Sequence, residues 1–91
     1  MSFDAYHKWL GIPPEQQPPH DYQLLGISTK ETDREVIETA AQRQRSIIEE
    51  NLHGPHRKVA NQLLYEIDEA ELTLLSPELR EVYDQQVTRA V

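Results

Sequence analysis

The segment TDREVIETAAQRQRSIIEENLHGPHRKVANQLLYEIDEAELTLLSPELREVYDQ, residues 32–85, decides the fold. Val36, Ile37, Ala40, Ala41, Gln44, Ile47 and Ile48 recur in steps of one, three and four, which lays one stripe along a helix of period 3.6. Gln44 alone interrupts it. Val59, Ala60, Leu63, Leu64, Ile67, Ala70, Leu74 and Leu75 form a second stripe that needs another surface to cover it. The connection around His53-Gly54-Pro55-His56 is short, so the two stripes are expected to bury each other in an antiparallel helical hairpin, with Leu64 and Ile67 at its centre.

Signals at the helix ends set the boundaries. Thr32-Asp33-Arg34-Glu35 has the form of a capping box, with Thr32 accepting from the Glu35 amide, so the first long helix is expected over about 33–52. Gly54-Pro55 stops it and would place proline in the first turn of a second helix, over about 56–75. Ser76 can cap the next helix and Pro77 suits its first position; Leu79, Val82, Tyr83 and Val87 give that helix, over about 77–88, an apolar face. Upstream, Asp21 or His20 can cap a short helix over about 20–25 that Gly26 ends. Nothing alternates with period two, so the fold class is all-α.

Residues 1–20 form an aromatic leader and a proline-rich tether, with the helical domain following over 21–91. Phe3, Tyr6 and Trp9 are three of the chain's six aromatic residues, and such rings are costly to leave in water. The leader is expected to fold back so that the Trp9 ring is at least half buried on the hairpin; the competing expectation is an exposed docking motif. Pro13, Pro14, Pro18 and Pro19 fall within seven residues, which predicts an extended, non-helical tether. Two segments echo each other: Tyr6 to Ile12 and Tyr22 to Ile27 both run from tyrosine to Leu-Gly-Ile.

Composition narrows the function. Ninety-one residues make one small domain, and a formal charge of −7 opposes binding to nucleic acid phosphates. With no cysteine there is no disulfide, thiolate nucleophile or cysteine-ligated metal. No apolar run reaches the roughly 18 residues of a membrane span, and the N-terminal residues lack the apolar centre of a signal peptide, so a soluble, cytoplasmic segment is expected. His53 and His56 near Glu49 and Glu50 suggest zinc, but His-x-x-His across a Gly-Pro turn lacks the fixed geometry of ligands one helical turn apart. No nucleophile has a base visibly placed beside it, and Glu66, Asp68, Glu69 and Glu71 are expected to be a solvated face. Neither a catalytic residue nor a cofactor is assigned.

Several of these stretches together resemble a J-domain, the module with which co-chaperones stimulate the ATPase of the large ATP-driven heat-shock chaperone. DYQLLGIS is similar to the family's Asp-Tyr-Tyr-x-x-Leu-Gly-Val, while Ile67, Glu69, Ala70, Leu74, Ser76, Pro77, Arg80, Tyr83 and Asp84 fall on its Ile-Asn-Glu-Ala-Tyr-x-x-Leu-x-Asp-Pro-x-x-Arg-x-x-Tyr-Asp pattern. The similarity spans Asp21 to Gln86. The leader resembles one that precedes J-like segments in certain large bacterial proteins, which implies that other modules of a longer parent chain are among the partners. One departure governs the functional expectation: a working J-domain carries His-Pro-Asp after its second helix, where this chain has Glu49-Glu50-Asn51. The family's second helix is basic, whereas residues 31–52 here carry an excess of three negative charges, which weakens that encounter. The expectation is a non-catalytic, J-domain-like protein interaction module of a bacterial protein that does not stimulate the chaperone, with Tyr6, Trp9, Arg43, Arg45, His53 and His56 as candidate partner contacts. A divergent co-chaperone that still binds the chaperone, and a small metal-binding or hydrolytic domain, are the alternatives.

Overall fold

The computed structural model describes the backbone of residues 3–90 and the side chains of residues 3–87. Among the described residues, five α-helices follow in order: α1 (Ala5–Leu10), α2 (Asp21–Leu25), α3 (Arg34–Glu49), α4 (Arg57–Leu75) and α5 (Pro77–Ala90). Among the described residues there is no strand.

The periodicity of the long segments is realised in α3 and α4, which pack against each other. Ile37, Ala40, Ala41, Gln44 and Ile48 are buried on α3, and Ala60, Leu63, Ile67, Ala70 and Leu74 on α4. Apart from Ala40 and Ala41, which are both buried, each adjacent pair in the stripes resolves in favour of one member, because neighbours in sequence stand about 100° apart on a helix and the covered stripe is little wider than that. Val36 and Val59 are therefore exposed beside buried Ile37 and Ala60. Leu64, expected at the centre, is only half-buried; Leu63 takes that place and Ile67 is fully covered. On α5, Leu79 and Val82 are exposed rather than facing the core, because its inward contacts are made by Arg80 and Tyr83.

The helix ends correct the expected boundaries. Asp33, not Thr32, caps α3: its Oδ1 accepts from the amides of Glu35 at 2.9 Å and Val36 at 3.4 Å, and Glu31 Oε2 accepts from the Asp33 amide. A carboxylate one residue later serves the same orphan donors that Thr32 would have served. The helix ends at Glu49, short of residue 52, as the amides of Asn51 and Leu52 tighten onto the carbonyls of Ile48 and Glu49. Asn51 Nδ2 then covers the Ile47 carbonyl at 3.1 Å. Because α4 starts at Arg57 with His56 as its N-cap, Pro55 stands before the cap instead of inside the first turn. At α5, Pro77 is the first residue and Ser76 Oγ accepts from the Leu79 amide.

The two short helices stop in the same way. Gly11 and Gly26 adopt left-handed φ values of 69° and 74°, and the following isoleucine amides return to the carbonyls of the tyrosines that open each segment, Ile12 to Tyr6 and Ile27 to Tyr22. The sequence echo is thus a repeated helix stop. His20 Nδ1 caps α2 by accepting from the Gln23 amide. That fixes Tyr22, Leu24 and Leu25 in the core, where α2 contacts both α3 and α4.

The leader folds back on the domain: α1 touches α3, Ala5 and Ile12 are buried, and Tyr6, Trp9 and Leu10 pack on the core. Trp9 is more than half covered. The tether is not wholly extended, since Pro14–Gln16 form a 3-10 turn for which proline at the first position is pre-organised. Gln17 ties the tether to the leader, its Nε2 donating to the Asp4 carboxylate and the Ile12 carbonyl at 3.1 Å.

Candidate interaction surface

The turn between α3 and α4 is where the leader meets the hairpin. His56, half-buried there by its place as the α4 N-cap, stacks on Phe3 with ring centroids 3.8 Å apart and planes within 11°. Trp9 lies edge-on to the same imidazole at 6.4 Å and 5.1 Å from Phe3. Trp9 and His56 are therefore brought into one aromatic cluster. His53 is exposed and makes none of these ring contacts. Glu49 and Glu50 are also exposed, while Asn51 is committed to closing the end of α3. Residues 49–51 thus present two carboxylates to solvent and one amide to the backbone.

The two candidate arginines part company. Arg43 is exposed. Arg45 is a structural cation: its Nη1 bridges Asp68 Oδ1 at 2.8 Å and Glu71 Oε1 at 2.9 Å across the α3–α4 seam. Its hydrogen bond to Glu71, ahead of the opposing effect of burial, raises its proton affinity further. Asp68 and Glu71 are accordingly half of an ion-pair network, not simply a solvated face. Their positions beside Ile67 and Ala70, facing Arg45 beside Gln44, were a signal available in the sequence: opposite charges flanking two stripes that must meet.

Tyr6 is likewise engaged, its hydroxyl donating to Glu66 on α4. Burial, reinforced by the neighbouring Glu66 carboxylate, pushes the Tyr6 phenol well above its ordinary range, so it stays a neutral donor. Gln62 Nε2 donates to the other Glu66 oxygen at 3.2 Å.

A second cluster joins residues about sixty positions apart in the chain. The Tyr22 hydroxyl donates to Asp84 Oδ1 and accepts from Arg80 Nε at 3.0 Å, while the Tyr83 hydroxyl accepts from the Asp21 amide at 2.6 Å. Arg80 also reaches the Thr29 carbonyl at 3.3 Å. Burial is the first cause that pushes the Tyr22 phenol up, to about 12, with the Asp84 hydrogen bond second. Burial also raises the Asp21 carboxyl and the Tyr83 phenol. The arrangement clamps α2 to α5 and holds neutral phenols between charged groups.

Among the described residues, no group of three or more His, Asp or Glu side chains is arranged to hold a metal ion. No described helix is long and apolar enough to cross a membrane. Comparisons with family models, with curated proteins and with solved structures return no match.

Proposed function

We propose that the chain is a J-domain-like, non-catalytic protein interaction module of a bacterial cytoplasmic protein, one that does not stimulate the ATP-driven heat-shock chaperone. The observation that carries this reading is the clamp between α2 and α5. Tyr22 comes from the Tyr-x-x-Leu-Gly part of the J-domain pattern's opening, and Arg80, Tyr83 and Asp84 from its Arg-x-x-Tyr-Asp close; Tyr22 bonds to Arg80 and Asp84, and Tyr83 accepts from the backbone amide of Asp21 beside it. A chance match of isolated letters has no reason to converge in space.

The absence of stimulation follows from the turn after α3. Glu49 and Glu50 are acidic and exposed where the family carries His and Pro, and Asn51 is occupied in ending the helix. Adding carboxylates there opposes docking on an acidic partner surface. The test is steady-state ATP hydrolysis by the host's heat-shock chaperone with and without the chain. An unchanged rate supports the reading, and a several-fold acceleration overturns it.

A further inference from the structure

Between the leader and the first half of α4 lies a cleft of about 420 Å3, within the range of roughly 300–1,000 Å3 usual for ligand sites. Phe3 and Tyr6 line it from the leader and Val59 and Leu63 from α4, and each wall adds a carboxylate, Asp4 and Glu66. None of its described lining residues is Lys, Arg or His.

The two carboxylates are held in place by neutral donors alone. Glu66 accepts from the Tyr6 hydroxyl and the Gln62 amide; Asp4 accepts from the Gln17 amide and, as N-cap of α1, from the His7 backbone. Both residues are part-covered, yet among the described residues no cation stands within ion-pair distance of either. Other acids do have a cation beside them, Asp68 and Glu71 with Arg45 and Asp84 at 3.9 Å from Arg80, whereas part-covered Asp21 and Glu31 share the lack of one but do not line this cleft. Among the described residues, the cleft therefore holds two pre-positioned carboxylates with no cation paired to them, against apolar and aromatic walls. A carboxylate oxygen accepts more than one hydrogen bond, so each retains capacity.

From this juxtaposition we propose that the cleft is a docking site for an arginine side chain on an exposed segment of a partner protein. The methylene stem of arginine suits Val59 and Leu63, and its planar guanidinium stacks on aromatic rings. Five donors in a fixed fork serve carboxylates on opposite walls better than the compact ammonium of lysine does. The chain's net charge of −7 draws a cationic segment toward it. The choice of a protein as the source rests on the interaction-module reading. Its failure is separate from that of the chaperone assay, which does not involve this cleft.

The probes are the peptides acetyl-Gly-Arg-Gly-amide, its lysine and citrulline counterparts, and free arginine, titrated into the 15N-labelled 91-residue chain. Saturable amide shifts are expected at Asp4–Tyr6 and Val59–Glu66 with the arginine peptide, weaker ones with lysine and none with neutral citrulline. Asp4→Asn keeps the one oxygen that accepts from both the His7 amide and Gln17, and Glu66→Gln keeps an acceptor for the Tyr6 hydroxyl while giving up the one for Gln62; both remove charge. Each is expected to weaken the arginine peptide by about fivefold or more while the circular dichroism spectrum is unchanged. Equal shifts with arginine and citrulline, shifts centred instead on Glu49 and Glu50, or undiminished affinity in both variants would overturn the site. Free arginine binding as tightly as the peptide would overturn the assignment to a protein segment.

Discussion

Arg80 Nε donates to the Tyr22 hydroxyl at 3.0 Å while its guanidinium carbon sits 5.1 Å from the centre of the same ring. One residue of α5 thus holds both the polar tip and the face of a side chain whose body is fully buried near the other end of the sequence. Asp84 accepts the hydrogen bond of the phenol. Tyr22→Phe keeps the ring and removes the hydrogen bonds, and it is expected to cost about 1–3 kcal/mol in denaturant unfolding at neutral pH. The same phenol makes stability fall in alkali. Its folded-state value of about 12 lies above the unfolded value of about 10, so the unfolded chain releases the proton first as pH rises. The stabilisation is complete below about pH 10 and is lost on the way to about 12. Tyr22→Phe should flatten that decline, and an identical slope in the variant would remove Tyr22 as its cause.

Truncation should separate two neighbours on α4. Ile67 is fully buried, so Ile67→Ala is expected to cost about 2–5 kcal/mol, comparable to the whole stability of a small domain. Leu64 is half-buried and its truncation should cost clearly less. Thermal unfolding followed by circular dichroism ranks the two; equal losses would contradict the packing of α4.

Gln44 illustrates what the pattern of apolar residues conveys and what it omits. It interrupts the α3 stripe, yet it is among the covered residues at 9% exposure because its Nε2 donates to the Leu24 carbonyl at 2.9 Å. That carbonyl is near the end of α2, where the next turn offers no amide. Gln44→Ala should leave it unsatisfied at a cost of about 1–3 kcal/mol, measured by urea unfolding. Gln44→Glu should cost more at neutral pH, since it sets a carboxylate against a carbonyl oxygen.

The helices themselves were legible because period, glycine stops and proline starts are local properties. Ile37, Ala40 and Ala41, or Leu63 and Ile67, declare one face of a helix without reference to the rest of the chain. Boundaries slipped where two residues competed for one role, as Asp33 did with Thr32 and as Asn51 did by closing α3 early. Which member of an adjacent apolar pair faces inward depends on the exact rotation of the helix against its neighbour, so Leu64 and Val59 were misplaced. The candidate surface was less legible still. Pairing of Tyr6 with Glu66, of Phe3 with His56 and of Arg45 with Glu71 joins residues 26 or more positions apart, and apart from the opposite charges flanking the two long stripes no rule local to the sequence selects such partners. Arg45 consequently looked available for a partner when the fold itself uses it.

The leader is part of the folded unit, and Trp9 reports on it as the only tryptophan. A segment of six helical residues is too short to persist in water unless it is packed. Emission from Trp9 should be blue-shifted and poorly quenched by iodide in the native chain. Trp9→Ala should lower stability by about 1.5–3 kcal/mol. Water-like emission with free quenching would place the leader off the domain.

The most direct measurement is the rate of ATP hydrolysis by the host's heat-shock chaperone, taken alone, with an excess of this chain, and with a J-domain that retains His-Pro-Asp as the positive control. Acidic, exposed Glu49 and Glu50 and the committed Asn51 give the expected result: the control accelerates hydrolysis and the chain leaves the basal rate unchanged at every concentration. Saturable, several-fold acceleration by the chain would contradict the proposed function and make it a working co-chaperone that dispenses with the tripeptide.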